Sequence, residues 1–380
     1  MPIVSRVLGP ARCALLVAGL AACGLACADN PVPSPDPTQA LVEKLGLVES
    51  PVPVRERTGW QHPKKILVWA MQPDLLPMLQ KVAPGVEFIP AKDIAEAVAL
   101  VKDADAVLGF CSPELLAAGP NIRWIQAYWA GVERCVAIPA LHERGILLTN
   151  MQRVAGPAMA EHVMAMMLAF ARGLHFYIPE RMAGRWTPEP PAPTRLLTIE
   201  DKTVLVVGLG GIGVEVAKRA HALGMRVVAI RASSREGPAF VSYVGLPDEL
   251  RRLAADADFV VNTVPLTPAT TGVFDAGFFA AMKPGAFFVN VGRGKSVVQP
   301  DLIAALRSGR LGGAGLDVAD PEPLPADNPL WQMQNVILTP HVSAESDHGN
   351  EARFVIAREN LRRYLAGEKM LSVVDVGKGY

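Results

Sequence analysis

The chain has 380 residues, of which half are hydrophobic and 19% are charged, so it can bury a large core and is long enough for two domains. Its 37 lysines and arginines balance its 37 aspartates and glutamates, and no basic run is interleaved with aromatic residues. This balance argues against a protein that binds nucleic acid through a global positive field.

The first 28 residues have the pattern of a secretory leader. Arg6 and Arg12 precede an apolar stretch from Ala14 to about Ala22, which is shorter than the ~20 residues that span a bilayer. "LAAC", ending at Cys23, resembles a lipoprotein processing site and would make that cysteine a lipid anchor, whereas the following "ACA" would suit an ordinary signal peptidase. We expect a periplasmic or membrane-anchored protein if the leader is used, and a cytoplasmic one if the start codon is misassigned.

Residues 29–63 form a proline-rich spacer, in which "DNPVPSPDPTQ" predicts an extended stretch and Ala40–Leu47 predicts one short helix. Three of the five cysteines lie in the leader, which leaves Cys111 and Cys135 for the folded part. Two cysteines make neither a disulfide framework nor a zinc site. We therefore expect each of them to be a small core residue, and we expect no metal site.

From residue 64 onward, short apolar runs alternate with helical patterns, which indicates βαβ units and parallel sheets. A long apolar helix is expected over Gly156–Ile178, buried on all sides and in part against a second copy of the chain. Strands of a first series are predicted at "KKILVWA", "ADAVLGF" and "RWIQAYW". Strands of a second series are predicted at "KTVLVVG", "MRVVAIRA", "ADFVVNTVPLT", "GAFFVNVGRGK", "LGGAGLDV" and "NVILTPHVS".

The segment "VVGLGGIG" follows a predicted strand and opens a predicted helix, the context in which G-x-G-x-x-G binds a dinucleotide. Gly208 permits the tight turn, Gly210 lets the backbone approach a pyrophosphate, and Gly213 allows close packing of helix on strand. The helix N-terminus adds free N–H groups and the positive end of its dipole. A glycine-rich turn without a ligand is the alternative.

The end of the next strand, "VVAIRASSR", indicates which dinucleotide is bound. An NAD-selective site places Asp or Glu there to accept from the ribose 2′-hydroxyl, whereas this chain has Arg231, followed by Ser233 and Arg235. A guanidinium cannot accept a hydrogen bond but pairs well with a 2′-phosphate. We expect NADP(H) to be preferred over NAD(H); a solvated basic loop is the alternative.

Three polar residues follow later apolar strands: Arg293, Glu322 and His341. Because parallel strands end at one edge of a sheet, we expect the three side chains in one cleft. A guanidinium can hold the carboxylate of a 2-oxo acid, and an imidazole oriented by a carboxylate can exchange a proton with the neighbouring oxygen. The glycines beside Arg293 are expected to let the ligand come close. Taken singly, an ion-pair arginine, a loop carboxylate and a core histidine are the alternatives.

The motifs "GLGGIG", "NTVPLTPATTG", "NVGRGK", "GAGLDVADPEPLP", "NPLW" and "TPHVS" stand in the order typical of the D-isomer-specific 2-hydroxyacid dehydrogenases, which the chain resembles over about Ile66–Leu365. The resemblance implies that Arg293 binds the substrate carboxylate, that His341 is the acid/base and that Glu322 is its partner. The backbone of Ala130, Gly131 and Val132 would also hold the carboxylate. Further implied cofactor contacts are Gly211, Ile212, Val264, Pro265, Thr270, Val291 and Asp317.

These observations predict an α/β protein with two doubly wound parallel-sheet domains. A Rossmann dinucleotide-binding domain at 153–341 is inserted in a flavodoxin-like substrate domain formed by 64–152 and 342–380. The expected activity of the homodimer is NAD(P)-dependent interconversion of a small 2-oxo acid, of the glyoxylate or hydroxypyruvate type, and its D-2-hydroxy acid. Bulky Tyr128 and Trp129 in the substrate loop, and "VSAESDHGN" after the histidine strand, depart from the family pattern and leave the substrate side chain open.

Two alternatives keep the same fold. One is a nucleotide-sensing interaction protein with little turnover, and the other is a related dehydrogenase that acts on formate or phosphonate. The three polar residues at the strand ends argue against a site without catalysis.

Overall fold

The computed structural model describes residues 36–70, 73–190 and 194–379. The predicted leader, including Cys23, lies outside these residues. No helix in the described ranges has both the length and the apolar character needed to cross a membrane.

The first sheet has five parallel strands in the order β2-β1-β3-β4-β5, which is the flavodoxin-like order. The fold class predicted for this domain is therefore confirmed. Its strands are β1 (Lys65–Trp69), β2 (Glu87–Ala91), β3 (Ala106–Leu108), β4 (Trp124–Gln126) and β5 (Leu147–Thr149). The helices along this part of the chain are α1 (Pro37–Leu45), α2 (Leu75–Val82), α3 (Ile94–Leu100), α4 (Pro113–Ala118), α5 (Glu133–Val136) and α6 (Pro139–Glu143).

The second sheet has seven parallel strands in the order β12-β11-β10-β9-β6-β7-β8, which contains the 3-2-1-4-5-6 order of a Rossmann domain. Its strands are β6 (Thr203–Val207), β7 (Arg226–Ile230), β8 (Tyr243–Gly245), β9 (Phe259–Asn262), β10 (Ala286–Asn290), β11 (Leu311–Leu316) and β12 (Val336–Leu338). The helices that begin after residue 155 are α7 (Gly156–Ala171), α8 (Leu174–Met182), α9 (Gly211–Ala222), α10 (Leu250–Ala254), α11 (Ala276–Ala281), α12 (Gln299–Arg307) and α13 (Gly349–Ala366).

The last helix, α13, returns to the first sheet. Ile356 and Leu361 lie in one buried cluster with Ile66 of β1, as expected for a C-terminal tail that folds back. The buried amide of Asn360 donates to the side chain of Gln126 in β4 at 2.8 Å. The same core also contains Val42, Leu47 and Val54, so these residues of the predicted spacer are folded onto this domain.

The helix predicted over Gly156–Ile178 is broken. Gly173 adopts a φ of +68°, which ends α7 and starts α8 in a new direction. The inward residues of α7, such as Met167 and Phe170, are buried by the chain's own second domain. By contrast, α8 has no buried residue; Met182 at its end is 76% exposed, and Trp186 beyond it is 95% exposed.

Cys111 and Cys135 form a disulfide with a Cα–Cα distance of 5.7 Å. The expectation of two small core residues without a disulfide was wrong. Cys111 follows β3 and Cys135 lies in α5, which follows β4, and these two strands are neighbours in the first sheet. The loops after adjacent parallel strands meet at one edge, so the 24-residue separation in sequence becomes a contact.

Candidate active site

The glycine cradle lies between β6 and α9. Gly208 has a φ of +100°, and a Cβ on Gly213 would come within 2.0 Å of the Gly208 carbonyl oxygen. Both positions therefore require glycine because of the chain's own backbone. A Cβ on Gly210 would meet nothing within 4 Å, so this backbone is open on the side where a phosphate can approach.

The first turn of α9 supplies the N–H groups of the cradle. The Ile212 side chain packs against the buried core, so its backbone is the part that can serve a ligand. A Cβ on Gly211 would lie 2.5 Å from the Arg153 side chain, which explains the small residue there. The first N–H groups of any helix lack partners within that helix, and they bind anions well. The cradle therefore fits a dinucleotide pyrophosphate.

Arg231 directly follows β7, at the place predicted for cofactor selectivity. Its Nε donates to the Ser233 hydroxyl at 3.0 Å, and its Nη1 donates to the Glu236 carbonyl at 2.9 Å. Arg235 is engaged elsewhere, because its guanidinium is hydrogen-bonded to Glu249 and to the Tyr243 hydroxyl. The structure thus brings Arg231 and Ser233 together, whereas Arg235 belongs to a separate cluster with Glu249 and Tyr243.

Four further predicted cofactor residues follow β9 and β10. Val264 and Pro265 come just after β9, and the Thr270 hydroxyl closes that loop by donating to the Pro265 carbonyl at 2.6 Å. Val291 is buried directly after β10. β9 is the neighbour of β6 and β10 is the next strand, so all four residues lie near the sheet edge that carries the cradle. Their contact with a cofactor stays a prediction.

Arg293 is held by a buried polar network at the end of β10. Its carbonyl oxygen accepts from the Asn290 side chain at 3.1 Å and from the Ser296 hydroxyl at 2.6 Å. Asn262 of β9 donates to the Asn290 side chain at 2.9 Å. Gly294 serves packing, because a Cβ there would lie 1.9 Å from the Ala319 carbonyl oxygen. That this glycine also lets a ligand come close stays a prediction.

The Arg293 guanidinium reaches the predicted substrate loop of the first domain. A Cβ on Gly131 would lie 1.4 Å from Arg293 Nη2, so only glycine fits there. Ala130 is fixed through its carbonyl, which accepts from Asn150 at 2.7 Å, and the neighbouring Val132 side chain is buried. Sequence reasoning placed these residues around one carboxylate site, and the structure brings Gly131 and Arg293 together.

Glu133 was missed by the sequence analysis. Its Oε1 accepts from Arg293 Nε at 2.8 Å, and its Oε2 lies 3.4 Å from Arg293 Nη2. Burial raises the pKa of the Glu133 carboxyl, but hydrogen bonding and attraction from Arg293 outweigh burial and lower the pKa below its ordinary value. An acidic residue directly after a loop expected to bind an anion was the signal that could have revealed it.

The two bulky residues of the same loop, Tyr128 and Trp129, differ in their exposure to solvent. Tyr128 is buried in the core of the first domain and packs edge-on against Phe354 of α13, with ring centroids 6.4 Å apart. Trp129 is partly exposed. Of the two aromatic residues, Trp129 is therefore the one on the surface of the substrate loop.

His341 and Glu322 form the pair expected from the sequence. His341 follows β12 with a φ of +55°, and its Nδ1 lies 2.8 Å from Glu322 Oε2. The other oxygen of Glu322 accepts from the Ala319 N–H at 3.0 Å, which fixes the carboxylate. The imidazole side chain is 47% exposed, and its Nε2 makes no hydrogen bond within the described residues. That nitrogen is available to a substrate.

Asp317 positions the turn that carries His341. Its fully buried carboxylate accepts from the Thr339 hydroxyl at 2.6 Å and from the Val342 and Ser343 N–H groups at 2.9 and 3.0 Å. Burial raises the pKa of Asp317, but these hydrogen bonds outweigh it and lower the pKa below its ordinary value. Asp317 was predicted as a cofactor contact; the structure shows it organising the histidine turn, and the contact stays a prediction.

The two loops that carry Arg293 and Glu322 touch each other through Gly294 and Ala319. One guanidinium, one carboxylate and one imidazole thus lie at the carboxyl edge of the second sheet, where open α/β sheets bind ligands. Within the described residues no cluster of His, Cys, Asp and Glu is suited to hold a metal ion.

Comparison with known proteins agrees with this geometry. Residues 164–343 match the family model "D-isomer specific 2-hydroxyacid dehydrogenase, NAD binding domain". The chain is 34% identical over 295 residues to the human glyoxylate reductase/hydroxypyruvate reductase. The aligned region covers 75% of this chain and 88% of the relative. It is 33% identical over 311 residues to glyoxylate/hydroxypyruvate reductase B of Salmonella typhimurium. Here the aligned region covers 80% of this chain and 96% of the relative.

Two crystal structures are also similar. The NADPH-dependent glyoxylate/hydroxypyruvate reductase of Sinorhizobium meliloti, in complex with NADP and sulfate, has a TM-score of 0.73 at 29% identity and covers 83% of this chain and 100% of its own. A D-isomer specific 2-hydroxyacid dehydrogenase of Xanthobacter autotrophicus, in complex with NADPH and MES, also has a TM-score of 0.73, at 30% identity, with coverages of 84% and 100%.

Proposed function

We propose that this chain, which belongs to the D-isomer-specific 2-hydroxyacid dehydrogenase family, reduces a small 2-oxo acid to its D-2-hydroxy acid with NADPH as the preferred cofactor. The observation that carries the proposal is the 2.8 Å distance between His341 Nδ1 and Glu322 Oε2, at the sheet edge where Arg293 also lies. Glyoxylate and hydroxypyruvate are the first substrates to test, because the relatives described above carry those names.

The His341–Glu322 pair handles the proton. When bound, NADPH supplies the hydride that reduces the substrate carbon. The ketone oxygen then needs a proton donor that works near neutral pH, which is the range of an imidazole. Glu322 holds Nδ1 and so aims Nε2 outward, and the protonated ring donates from Nε2 to that oxygen. In the reverse direction, the neutral ring accepts the proton from the hydroxyl.

Arg293 and the loop Ala130–Val132 bind the substrate carboxylate. A guanidinium presents N–H groups in a planar fork that matches the two oxygens of a carboxylate. Because Gly131 lies against the guanidinium, the backbone of the substrate loop and the arginine can act on one anion. This placement fixes the ketone next to the carboxylate, at the sheet edge that also carries His341.

Arg231 supports the preference for NADP. Its Nη2 group makes no hydrogen bond within the described residues, while Nε and Nη1 hold the side chain in place. The free N–H groups and the Ser233 hydroxyl suit a 2′-phosphate, and a guanidinium has no acceptor for a ribose 2′-hydroxyl.

A direct assay tests this proposal. Purified chain is mixed with NADPH or NADH and a panel of 2-oxo acids, and the loss of reduced-cofactor absorbance is followed. We expect turnover of glyoxylate or hydroxypyruvate, faster with NADPH, and the D-isomer of the product from hydroxypyruvate on chiral chromatography. Bound NADPH without turnover of any 2-oxo acid would contradict the proposal and favour a nucleotide-sensing protein. In a parallel assay with NADP+ or NAD+, oxidation of formate or phosphonate alone would favour the related dehydrogenases.

We also propose that the chain is exported. The Cys111–Cys135 disulfide supports this, because disulfides persist in oxidising compartments and are rare in the cytosol of mesophiles. The apolar leader and Cys23 supply the means of export and of lipid anchoring. Fractionation of cells that express the full chain or its Cys23→Ser variant tests the proposal. An unprocessed soluble protein in both cases would contradict it.

A homodimer is the third part of the proposal. The apolar side chains of Ile178, Met182 and Trp186 are exposed on α8 and just beyond it, which supports burial against a second copy. We expect sedimentation equilibrium to give a dimer, and the double substitution Met182→Glu with Trp186→Glu to give a monomer. Leu223→Glu, at another exposed apolar residue, is the control. A monomeric wild-type chain would contradict this proposal.

A further inference from the structure

We propose that Glu133 is a resident anion at the substrate-carboxylate site and makes the enzyme discriminate against doubly charged substrates. The inference rests on the proposed reduction of 2-oxo acids, because it concerns the site where Arg293 holds their carboxylate. It assigns a specificity-determining role to a residue that does not belong to the histidine pair.

The first argument is the number of donors that Arg293 has left. A guanidinium carries five N–H donors in a fixed plane. Glu133 engages Nε and one Nη2 donor, at 2.8 and 3.4 Å, and the Gly292 carbonyl engages one Nη1 donor at 2.8 Å. Three donors are therefore used by the chain itself. A substrate carboxylate meets the remaining edge of the guanidinium, beside the Glu133 carboxylate.

The second argument is charge. Both side chains of the pair are mostly withdrawn from water, with exposures of 27% for Arg293 and 29% for Glu133. The Glu133 pKa lies below its ordinary value, so this carboxylate is ionised at neutral pH and offsets the arginine's charge. A single substrate carboxylate still finds two donors. A second negative group on the same small ligand would lie beside the ionised Glu133 carboxylate.

The third argument is that Glu133 is held in place. It is the first residue of α5, and Cys135, two residues later in the same turn, is bridged to Cys111 after β3. On its other side, the Gly131 backbone lies against the guanidinium. A carboxylate anchored in this way remains beside the ligand instead of swinging into solvent.

The test compares two analogues of a 2-oxo acid that differ in charge. Oxamate carries one negative charge and oxalate carries two, at similar size. Their binding to the NADP-loaded full chain is measured by calorimetry for wild type, Glu133→Gln, Glu133→Asp and Glu143→Gln. The last is the matched control, because Glu143 is an exposed glutamate of the neighbouring helix α6.

We expect Glu133→Gln to tighten oxalate binding about tenfold more than oxamate binding, a factor that lies between the bulk-water and protein-surface limits for two like charges about 4 Å apart. Glu133→Asp keeps the charge and should keep the wild-type ratio, and Glu143→Gln should change neither affinity. If Glu133→Gln changes the affinities for both analogues by the same factor, or weakens both, the inference is overturned. Glu133 would then serve only to hold the Arg293 side chain in place. Thermal unfolding shows whether each variant folds. If Glu133→Gln does not, Glu133→Ala takes its place as the uncharged variant, and Glu133→Asp supplies the reference ratio of oxalate to oxamate affinity.

Turnover separates this inference from the proposed function. With glyoxylate, Glu133→Gln should lower KM about threefold while kcat changes less than twofold, because the residue acts on binding of the anion. If the wild-type chain turns over no 2-oxo acid, the proposed reductase activity fails, yet the ratio of oxalate to oxamate affinity still decides the role of Glu133. If the chain is a reductase but Glu133→Gln leaves the ratio of oxalate to oxamate affinity unchanged, the inference about Glu133 fails and the proposed function stands.

Discussion

The Cys111–Cys135 disulfide gives a quantitative prediction for stability. A cross-link that closes a loop of about 25 residues removes about 12 cal/mol/K of chain entropy from the unfolded state, which is about 3.5 kcal/mol at 25 °C. The structure places the bridge between two loops at one edge of the first sheet. We therefore expect reduction by a phosphine to lower the free energy of unfolding of this domain by 2–4 kcal/mol.

Tryptophan fluorescence during urea unfolding measures this change. Four of the six tryptophans, Trp60, Trp69, Trp124 and Trp129, lie in the first domain, and Trp124 is fully buried. The double substitution Cys111→Ala with Cys135→Ala is the control and should show no response to the reductant. A change below about 1 kcal/mol in wild type, or non-reducing peptide mapping that finds the two cysteines in separate peptides, would refute the reasoning.

Three predictions concern single residues. His341→Asn should lower kcat about 10²–10⁴-fold with little change in NADPH affinity, as steady-state kinetics and fluorescence titration can check; an active variant would contradict the acid/base role. Arg231→Ala should lower kcat/KM for NADPH about 10–100-fold and leave kcat/KM for NADH unchanged. An equal loss with both cofactors would contradict the assignment of Arg231 to the 2′-phosphate. Asp317 has a folded pKa below its ordinary value, so its contribution to stability is present above about pH 4 and is lost as the pH falls further. Acid unfolding of wild type should therefore be steeper than that of Asp317→Asn, and identical profiles would contradict the assignment.

The sequence was most informative where the backbone alone decides the geometry. Parallel strands that end at one edge bring Gly208, Arg293 and His341 to that edge whatever the side chains between them do. Glycine patterns also report backbone contacts, as with Gly213 against the Gly208 carbonyl oxygen. The alternation of strands and helices also predicted two parallel sheets, and the structure has them.

The features that the sequence did not predict depend on side chains from different elements. Glu133 meets Arg293 although the two residues are 160 positions apart, and that contact is set by how the first domain faces the second. The disulfide needs two loops to meet within the length of two side chains, which two isolated cysteines in a sequence do not indicate. Arg235 follows Arg231 closely in the chain, but the loop between them turns it towards Glu249.

The disulfide and the Glu133–Arg293 pair belong to one piece of structure. A four-residue helix such as α5 cannot hold its own conformation, because the first helical turn is costly to form and needs support from outside. The bridge at Cys135 supplies that support two residues from Glu133. The His341–Glu322 pair is held instead by Asp317 and the Ala319 N–H, far from the bridge in the chain. The bridge and Glu133 therefore share one short turn, whereas the His341–Glu322 pair is held by other contacts.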